Sequence, residues 1–250
     1  MTDILINEDE TLEELQPYGL KLIQKKEGFR FGMDSVLLAD FADIKANDSV
    51  GDFGTGSCVL PLLLLGRKKG RHFECIEIQQ NIAEMAERTV RLNQLESRIR
   101  IRCGDVEKET EDISSCSLDA VICNPPYASP GSALSSPFSE RAIARNQQDN
   151  TLFGFFKSGF RILKGRGKFC MVYPAPQMLQ AMDLMQRAHL EPKRFQMVYP
   201  YEDKPANLVL IEAVKDAKPT LHPMPPLIIY TKDRSLTNRL KSVYHMNQNE

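Results

Sequence analysis

The chain has 250 residues and a formal net charge of −1, and 42% of its residues are hydrophobic. This length fits one α/β domain or a core with a small extension, and the near-neutral charge excludes a polycation that binds nucleic acid by charge alone. The acidic start "MTDILINEDE" lacks the apolar stretch of a signal peptide, and the longest apolar run, 58–65, is too short to cross a bilayer. We therefore expect a soluble, cytoplasmic protein with no membrane association.

The six cysteines form no C-x-x-C pair and no Cys/His cluster with zinc-binding spacing. Cys75, Cys123 and Cys170 fall inside apolar, strand-like runs, which suits small buried side chains. The sequence therefore predicts reduced thiols and no metal site.

Residues 1–47 are predicted to form an extension that packs on the core. Within it, "GLKLIQ" and "FRF" flank residues 25–28, a pattern that indicates a β-hairpin with a glycine-containing turn. The stretch "MDSVLLADFA" follows as a predicted helix, with Asp34 or Ser35 as its N-cap.

From residue 48 to the end, strands and helices alternate, which predicts one doubly wound, Rossmann-like α/β domain with a mostly parallel sheet. The predicted strands lie near 48–53, 72–78, 98–102, 118–123, 167–173, 194–200 and 207–214. The predicted helices lie near 57–66, 80–93, 148–163 and 176–189. A short polar loop joins the last two strands, so we expect them to be antiparallel. A strand-like "PPLIIYT" and a polar helix at 233–245 follow.

A glycine turn, Gly54-Thr55-Gly56, lies between the first strand and the first helix of this domain, which is the position of a nucleotide-binding turn. Glycines allow the backbone to approach a ligand closely. The third glycine of the dinucleotide pattern is replaced by Val59, so a bound pyrophosphate is poorly supported. Asp52, just before the turn, can meet a cationic group of a ligand or can order the loop.

Acidic residues follow the next two strands. Glu77 comes at the end of the second strand, where a carboxylate can accept hydrogen bonds from both ribose hydroxyls, although a solvated strand end is the alternative. Asp105 follows the third strand and can contact an adenine edge, or it can simply form a Gly-Asp turn. S-adenosylmethionine fits this set best, because it carries an adenosine and a cationic tail but no pyrophosphate.

The run 118–123 reads as a strand buried on both faces, and it ends in Asn124-Pro125-Pro126-Tyr127. The prolines stop the strand, so Asn124 and Tyr127 are held at its carboxyl end, where open α/β sheets bind ligands. The alternative is a proline-rich turn with a capping asparagine. The loop 128–146 is long and polar, which suits either a lid over a site or an idle insertion.

Taken together, these motifs resemble those of class I amino-group methyltransferases. The segments "FRFGMDSVLLADFA", "DFGTGSCVLPLLLLG", "ICNPPY" and "KPANLVLIEA" are similar, more narrowly, to the adenine-N6 methyltransferases that modify valine tRNA beside the anticodon. The resemblance runs from about residue 15 to 230. It departs at Cys58, where glycine is common, and at 145–147, which read Arg-Asn-Gln instead of Arg-His-Glu.

The resemblance implies a seven-stranded class I fold with an antiparallel last strand, S-adenosylmethionine as cofactor, and the anticodon loop of tRNA as partner. It also implies that the Asn124 side-chain oxygen and the Pro125 carbonyl accept hydrogen bonds from the target amine, while Tyr127 stacks on the extruded base. No metal and no obligate protein partner are implied. The implied cofactor-binding residues are Asp52, Gly54, Thr55, Gly56, Glu77, Asp105 and Asn124. The candidate RNA contacts are Lys25, Lys26, Arg30, Arg141, Arg145 and Lys204.

Other functions share parts of this pattern. Glutamine-N5 methyltransferases of release factors carry the same Asn-Pro-Pro-Tyr motif but have a helical bundle before the core. Guanine-N2 methyltransferases of rRNA more often end the motif in phenylalanine, and DNA adenine methyltransferases usually need an added target-recognition region. A catalytically silent RNA-binding or nucleotide-binding protein on the same fold is the non-enzymatic alternative.

Overall fold

The computed structural model describes residues 6–27, 32–125 and 138–245, with 138–148 described by their backbone alone. Its strands are β1 (Glu10–Leu15), β2 (Leu20–Lys25), β3 (Ser49–Phe53), β4 (His72–Glu77), β5 (Ile99–Cys103), β6 (Leu118–Cys123), β7 (Leu163–Pro174), β8 (Leu190–Tyr199), β9 (Leu208–Lys215), β10 (His222–Pro223) and β11 (Leu227–Ile228). Its helices are α1 (Met33–Phe41), α2 (Val59–Gly66), α3 (Gln80–Leu92), α4 (Val106–Glu109), α5 (Phe138–Ile162), α6 (Met178–Arg187) and α7 (Asn238–Val243).

The main sheet has the strand order β10-β8-β9-β7-β6-β3-β4-β5, and β11 also pairs with β8. Neighbouring strands from β5 to β7 are parallel, whereas β9 is antiparallel to both β7 and β8. The predicted doubly wound sheet of seven strands with an antiparallel last strand, β9, is therefore confirmed. The two-residue strands β10 and β11 extend the sheet beyond these seven.

Apolar side chains fill both faces of the sheet. On one face, Ala120 and Ile122 of β6 pack in a cluster that also contains the buried residues of α1 and α2. On the other face, Val121 and Cys123 pack with buried residues of α5 and α6. Burial on both sides explains why β6 reads as a continuous apolar run.

The predicted strand "GLKLIQ" corresponds to β2, and it pairs with β1, a partner strand that the sequence did not predict. Glu10 is in register with Lys25, and the connecting turn contains Gly19 with φ +66°. The sequence "ETLEEL" of β1 has few β-branched residues and gives little local strand signal. The segment "FRF" at 29–31, the predicted partner strand, lies outside the described residues.

Contacts with α3 hold this hairpin to the core. The buried carboxylate of Glu10 accepts two hydrogen bonds from the guanidinium of Arg88, each 2.7 Å long. These bonds are the largest cause of a lowered pKa for Glu10, about 2. The backbone N–H of Ile23 donates to the hydroxyl of Thr89 at 3.2 Å. A tertiary ion pair thus compensates for weak local propensity.

Helix α5 begins ten residues earlier than predicted, so residues 138–146 are helical and not part of a loop. Their sequence contains Glu, Arg and Ala, which are good helix formers, but it lacks the apolar periodicity that would have revealed a helix. Residues 126–137 lie outside the described part of the chain. In the ranges that the structure describes, no helix has both the length and the apolar character needed to cross a membrane.

Candidate active site

The ends of three neighbouring strands form the centre of the candidate site. The chain proceeds from β3 to β4 and β5 on one side and then returns to β6 and β7 on the other, so the strand order reverses between β3 and β6. Open α/β sheets bind ligands at such a switch point. Phe53 at the end of β3 is in register with residues of both β4 and β6. Gly54, Glu77 and Asn124 therefore leave the sheet side by side, with neighbouring strands about 4.8 Å apart.

The glycine turn follows β3 as predicted. Gly54 and Gly56 have φ angles of +72° and +56°, which favour glycine, and a Cβ atom on either would meet nothing within 4 Å. The amides of Gly54 and Thr55 donate to the carbonyl oxygen of Ile76, at 2.9 and 3.0 Å. The turn is thus tied to β4 and leaves open space above its backbone. Cys58 also has a positive φ, +69°, a backbone conformation that favours glycine.

Asp52 lies beneath this turn and is fully buried. Its Oδ2 accepts a hydrogen bond from the hydroxyl of Thr55 at 2.6 Å, whereas its Oδ1 is buried without a partner in the described part of the chain. The pKa of Asp52 is raised to about 7, chiefly by burial; the hydrogen bond from Thr55 opposes this shift and the charge of Glu77 contributes to it. An unpaired carboxylate oxygen next to an open turn fits a cationic ligand group.

Glu77 links the turn to the end of β4. One carboxylate oxygen accepts from the Gly56 amide at 3.0 Å, and the other accepts from the Gln79 amide at 2.9 Å. The adjoining Ile78 is 66% exposed, an apolar side chain beside the glycine turn that our sequence analysis missed. In the sequence, this surface is indicated by an isoleucine that directly follows Glu77, the last residue of β4. Together these residues place carboxylate oxygens and an exposed apolar side chain beside the glycine turn.

Asp105 caps helix α4. Its Oδ1 accepts a hydrogen bond from the Glu107 amide at 2.9 Å, and the residue is exposed at the sheet edge. Asp105 therefore has a local structural role at the start of α4. Contact of its second carboxylate oxygen with an adenine stays a prediction.

Asn124 leaves β6 half-buried, and the following Pro125 is buried. The Asn124 Nδ2 donates to the hydroxyl of Ser35 at 3.3 Å. The prediction that Asp34 or Ser35 caps α1 was wrong, since Gly32 is the N-cap and Ser35 lies within the first turn on the buried face. Ser35 thus belongs to the site. Tyr127 lies outside the described residues.

Lys25 and Lys26 lie near acidic residues of the hairpin and not at the sheet edge. The Lys25 ammonium is 2.7 Å from the carboxylate of Asp9 and 3.3 Å from that of Glu10, and Lys26 donates to the carbonyl oxygen of Glu8. Lys25 shares the Glu10 carboxylate with Arg88, a residue about 12 Å along α3 from the start of that helix. Arg30 lies outside the described residues.

Lys204 lies in the loop between β8 and β9. Because β8 is parallel to β6, this loop is at the same edge of the sheet as Asn124, three strand spacings or about 14 Å away. The Lys204 side chain is 59% exposed, with the Asp203 carboxylate 3.9 Å from its ammonium. Arg141 and Arg145 lie in α5, and their side chains are outside the described part.

The described residues contain no cluster of three or more His, Cys, Asp and Glu side chains that could hold a metal ion.

Solved structures share the fold. A predicted O-methyltransferase from Agrobacterium tumefaciens has a TM-score of 0.64 at 18% identity, covering 85% of this chain and 96% of that chain. Geranyl diphosphate C-methyltransferase from Streptomyces coelicolor A3(2), solved with S-adenosyl-L-homocysteine, has a TM-score of 0.51 at 15% identity, covering 72% and 76%. These similarities establish the class I methyltransferase fold.

Sequence relatives carry a more specific name. A protein named tRNA1(Val) (adenine(37)-N6)-methyltransferase from Flavobacteriaceae bacterium (strain 3519-10) is 28% identical over 187 residues, which cover 68% of this chain and 77% of the relative. A protein of the same name from Erwinia tasmaniensis is 28% identical over 215 residues, covering 79% and 84%. Residues 31–192 match the family model described as methyltransferase small domain. With most of its length matched by that model, the chain belongs to the methyltransferase small domain family.

Proposed function

We propose that this enzyme transfers a methyl group from S-adenosylmethionine to the exocyclic N6 of an adenine in tRNA, the adenosine at position 37 of valine tRNA, 3′ of the anticodon. The observation that carries the proposal is Asn124, which leaves β6 one strand away from the glycine turn and has its side-chain oxygen unpaired within the described part of the chain. The names of the relatives support the choice of substrate.

The residues around the glycine turn suit S-adenosylmethionine. The open backbone of Gly54 and Gly56 admits a ligand, Glu77 offers acceptors for ribose hydroxyls, and Ile78 offers an apolar face for the adenine. The unpaired Oδ1 of Asp52 suits the cationic amino acid tail. When bound, this cofactor supplies an electrophilic methyl group.

Asn124 and Pro125 would act on the nucleophile. An exocyclic amine conjugated to a purine is a weak nucleophile, since its lone pair is delocalised into the ring. Acceptors aimed at its two N–H bonds, the Asn124 Oδ1 and the Pro125 carbonyl, favour the geometry in which the lone pair points out of the ring plane. One preorganised hydrogen bond of this kind is worth about 3 kcal/mol in the transition state. An amide cannot take up a proton, so the proton lost by the methylated amine passes to water.

The RNA would present its target outside the base stack. A base must leave its stack to reach such a site, and this costs less in a single-stranded loop than in a duplex. Tyr127 would stack on the extruded base, and Lys204, exposed at the same edge of the sheet as Asn124, would contact a phosphate.

Methyl transfer to defined substrates tests the proposal. The enzyme with methyl-labelled S-adenosylmethionine is expected to label a valine tRNA transcript, with the label recovered as N6-methyladenosine after digestion to nucleosides. The matched control is the same transcript with guanosine at position 37, which should stay unlabelled. Labelling of a release-factor glutamine or of an rRNA guanine, with no labelled tRNA, would contradict the proposal.

A further inference from the structure

We infer that Ser35 is a positioning residue that orients the side-chain amide of Asn124 for methyl transfer. The inference rests on the proposed function, because it assigns Ser35 a task in the activation of the target amine. Ser35 and Asn124 are 89 positions apart in the sequence and are brought together by the docking of α1 beside the end of β6.

Ser35 is held in a rigid and mainly apolar setting. It is 2% exposed, and the other buried side chains of α1 are apolar, from Val36 to Phe41. Helix α1 packs against α2, β7 and β9. A buried hydroxyl requires a hydrogen-bond partner, and Asn124 provides one at 3.3 Å.

The two ends of the Asn124 amide have opposite hydrogen-bonding properties. Nδ2 donates and Oδ1 accepts, so rotation of the amide by half a turn would place a donor against the N–H groups of the substrate. By accepting from Nδ2, the Ser35 hydroxyl selects the orientation in which Oδ1 remains available. Within the described part of the chain, the hydrogen bond to Ser35 engages Nδ2 and leaves Oδ1 without a partner.

Removal of the hydroxyl should affect turnover and leave binding intact. We expect Ser35→Ala to lower kcat about tenfold, the scale of one net hydrogen bond, with unchanged KM for tRNA and unchanged Kd for S-adenosylmethionine. Ser35→Thr keeps the hydroxyl and should retain most of the wild-type turnover. The matched control is Ser158→Ala, which removes another buried serine hydroxyl, in α5, and should leave kcat unchanged.

A double-mutant cycle separates positioning from a general structural effect. In an Asn124→Ala background, Ser35→Ala should change the residual kcat by less than about twofold, because the group that Ser35 orients is gone. An equal tenfold loss in both backgrounds would overturn the inference. So would an unchanged kcat in Ser35→Ala alone, the result expected if the hydroxyl donated to Oδ1 of a reversed amide.

An NMR measurement tests the contact independently of activity. The side-chain ¹H–¹⁵N signals of Asn124, identified by their absence in Asn124→Ala, should shift in Ser35→Ala and stay in place in Ser158→Ala. Unshifted signals in Ser35→Ala would overturn the inference even if tRNA methylation is found. If the signals shift but the wild-type enzyme methylates no tRNA adenine, the contact stands, the proposed function fails, and the catalytic role of Ser35 fails with it.

Discussion

Asp52→Asn should change how the stability of the protein depends on pH. The carboxyl of Asp52 is fully buried, with one oxygen bonded to Thr55 and the other unpaired in the described part of the chain. Burial raises its pKa from 3.8 to about 7. Asparagine keeps the size and an acceptor for the Thr55 hydroxyl, but it cannot ionise.

The sign and size of the effect follow from linkage. Between pH 3.8 and 7, the folded protein holds a proton on Asp52 that the unfolded chain has released, so wild-type stability falls as the pH rises through this range. A shift of about 3 pKa units corresponds to about 4 kcal/mol. The difference in unfolding free energy between Asp52→Asn and the wild type should therefore increase by about 4 kcal/mol from pH 4 to pH 8. An unpaired amide N–H₂ would add an offset of about 1–3 kcal/mol that does not vary with pH.

Urea denaturation at several pH values between 4 and 8 measures this difference, provided that the m-value stays constant. The matched control is Asp203→Asn, which neutralises an exposed carboxylate and should leave a profile parallel to that of the wild type. Parallel profiles for Asp52→Asn and the wild type would refute the reasoning, because they would mean that Asp52 ionises as easily in the folded protein as in the unfolded chain.

Four further changes test other parts of the molecule. Asn124→Ala should lower kcat by about a hundredfold or more with unchanged cofactor affinity, and should cost only about 1–3 kcal/mol of stability, which follows from leaving the Ser35 hydroxyl unpaired, whereas a larger loss of stability with normal turnover per folded molecule would make the residue structural. Glu77→Ala should weaken S-adenosylmethionine binding about tenfold or more, and an unchanged calorimetric Kd for the folded variant would exclude the ribose contact. Lys204→Ala should reduce the slope of log K for tRNA against log salt by about 1, and an unaltered slope would place it outside the interface. Arg88→Ala should lower the free energy of unfolding by about 1.5–3 kcal/mol above pH 4.5. This loss should fade as the pH falls towards 2, because the lowered pKa of Glu10 stabilises the fold only while the carboxylate is ionised. A loss of equal size at pH 2 would contradict the ion pair.

The sequence by itself determined the framework of the site, because its signals are local. A continuous apolar run predicts β6, and the prolines that follow indicate where it ends, so the position of Asn124 at a strand end could be predicted. Gly54 and Gly56 likewise mark a turn with positive φ angles between a strand and a helix. The alternation of strands and helices was sufficient for the doubly wound fold, and the short polar loop before the last strand indicated that this strand is antiparallel.

Only the tertiary structure decided which side chains meet. Glu10 binds Arg88 across 78 positions, and Ser35 meets Asn124 across 89. The same is true of the Asp52 pKa, since it depends on how completely neighbouring elements exclude water from the carboxyl. These properties arise from packing between distant segments, which periodicity, propensity and motif spacing do not encode. The sequence therefore indicates where the strands end, and the packed structure determines the partners and the protonation of the groups found there.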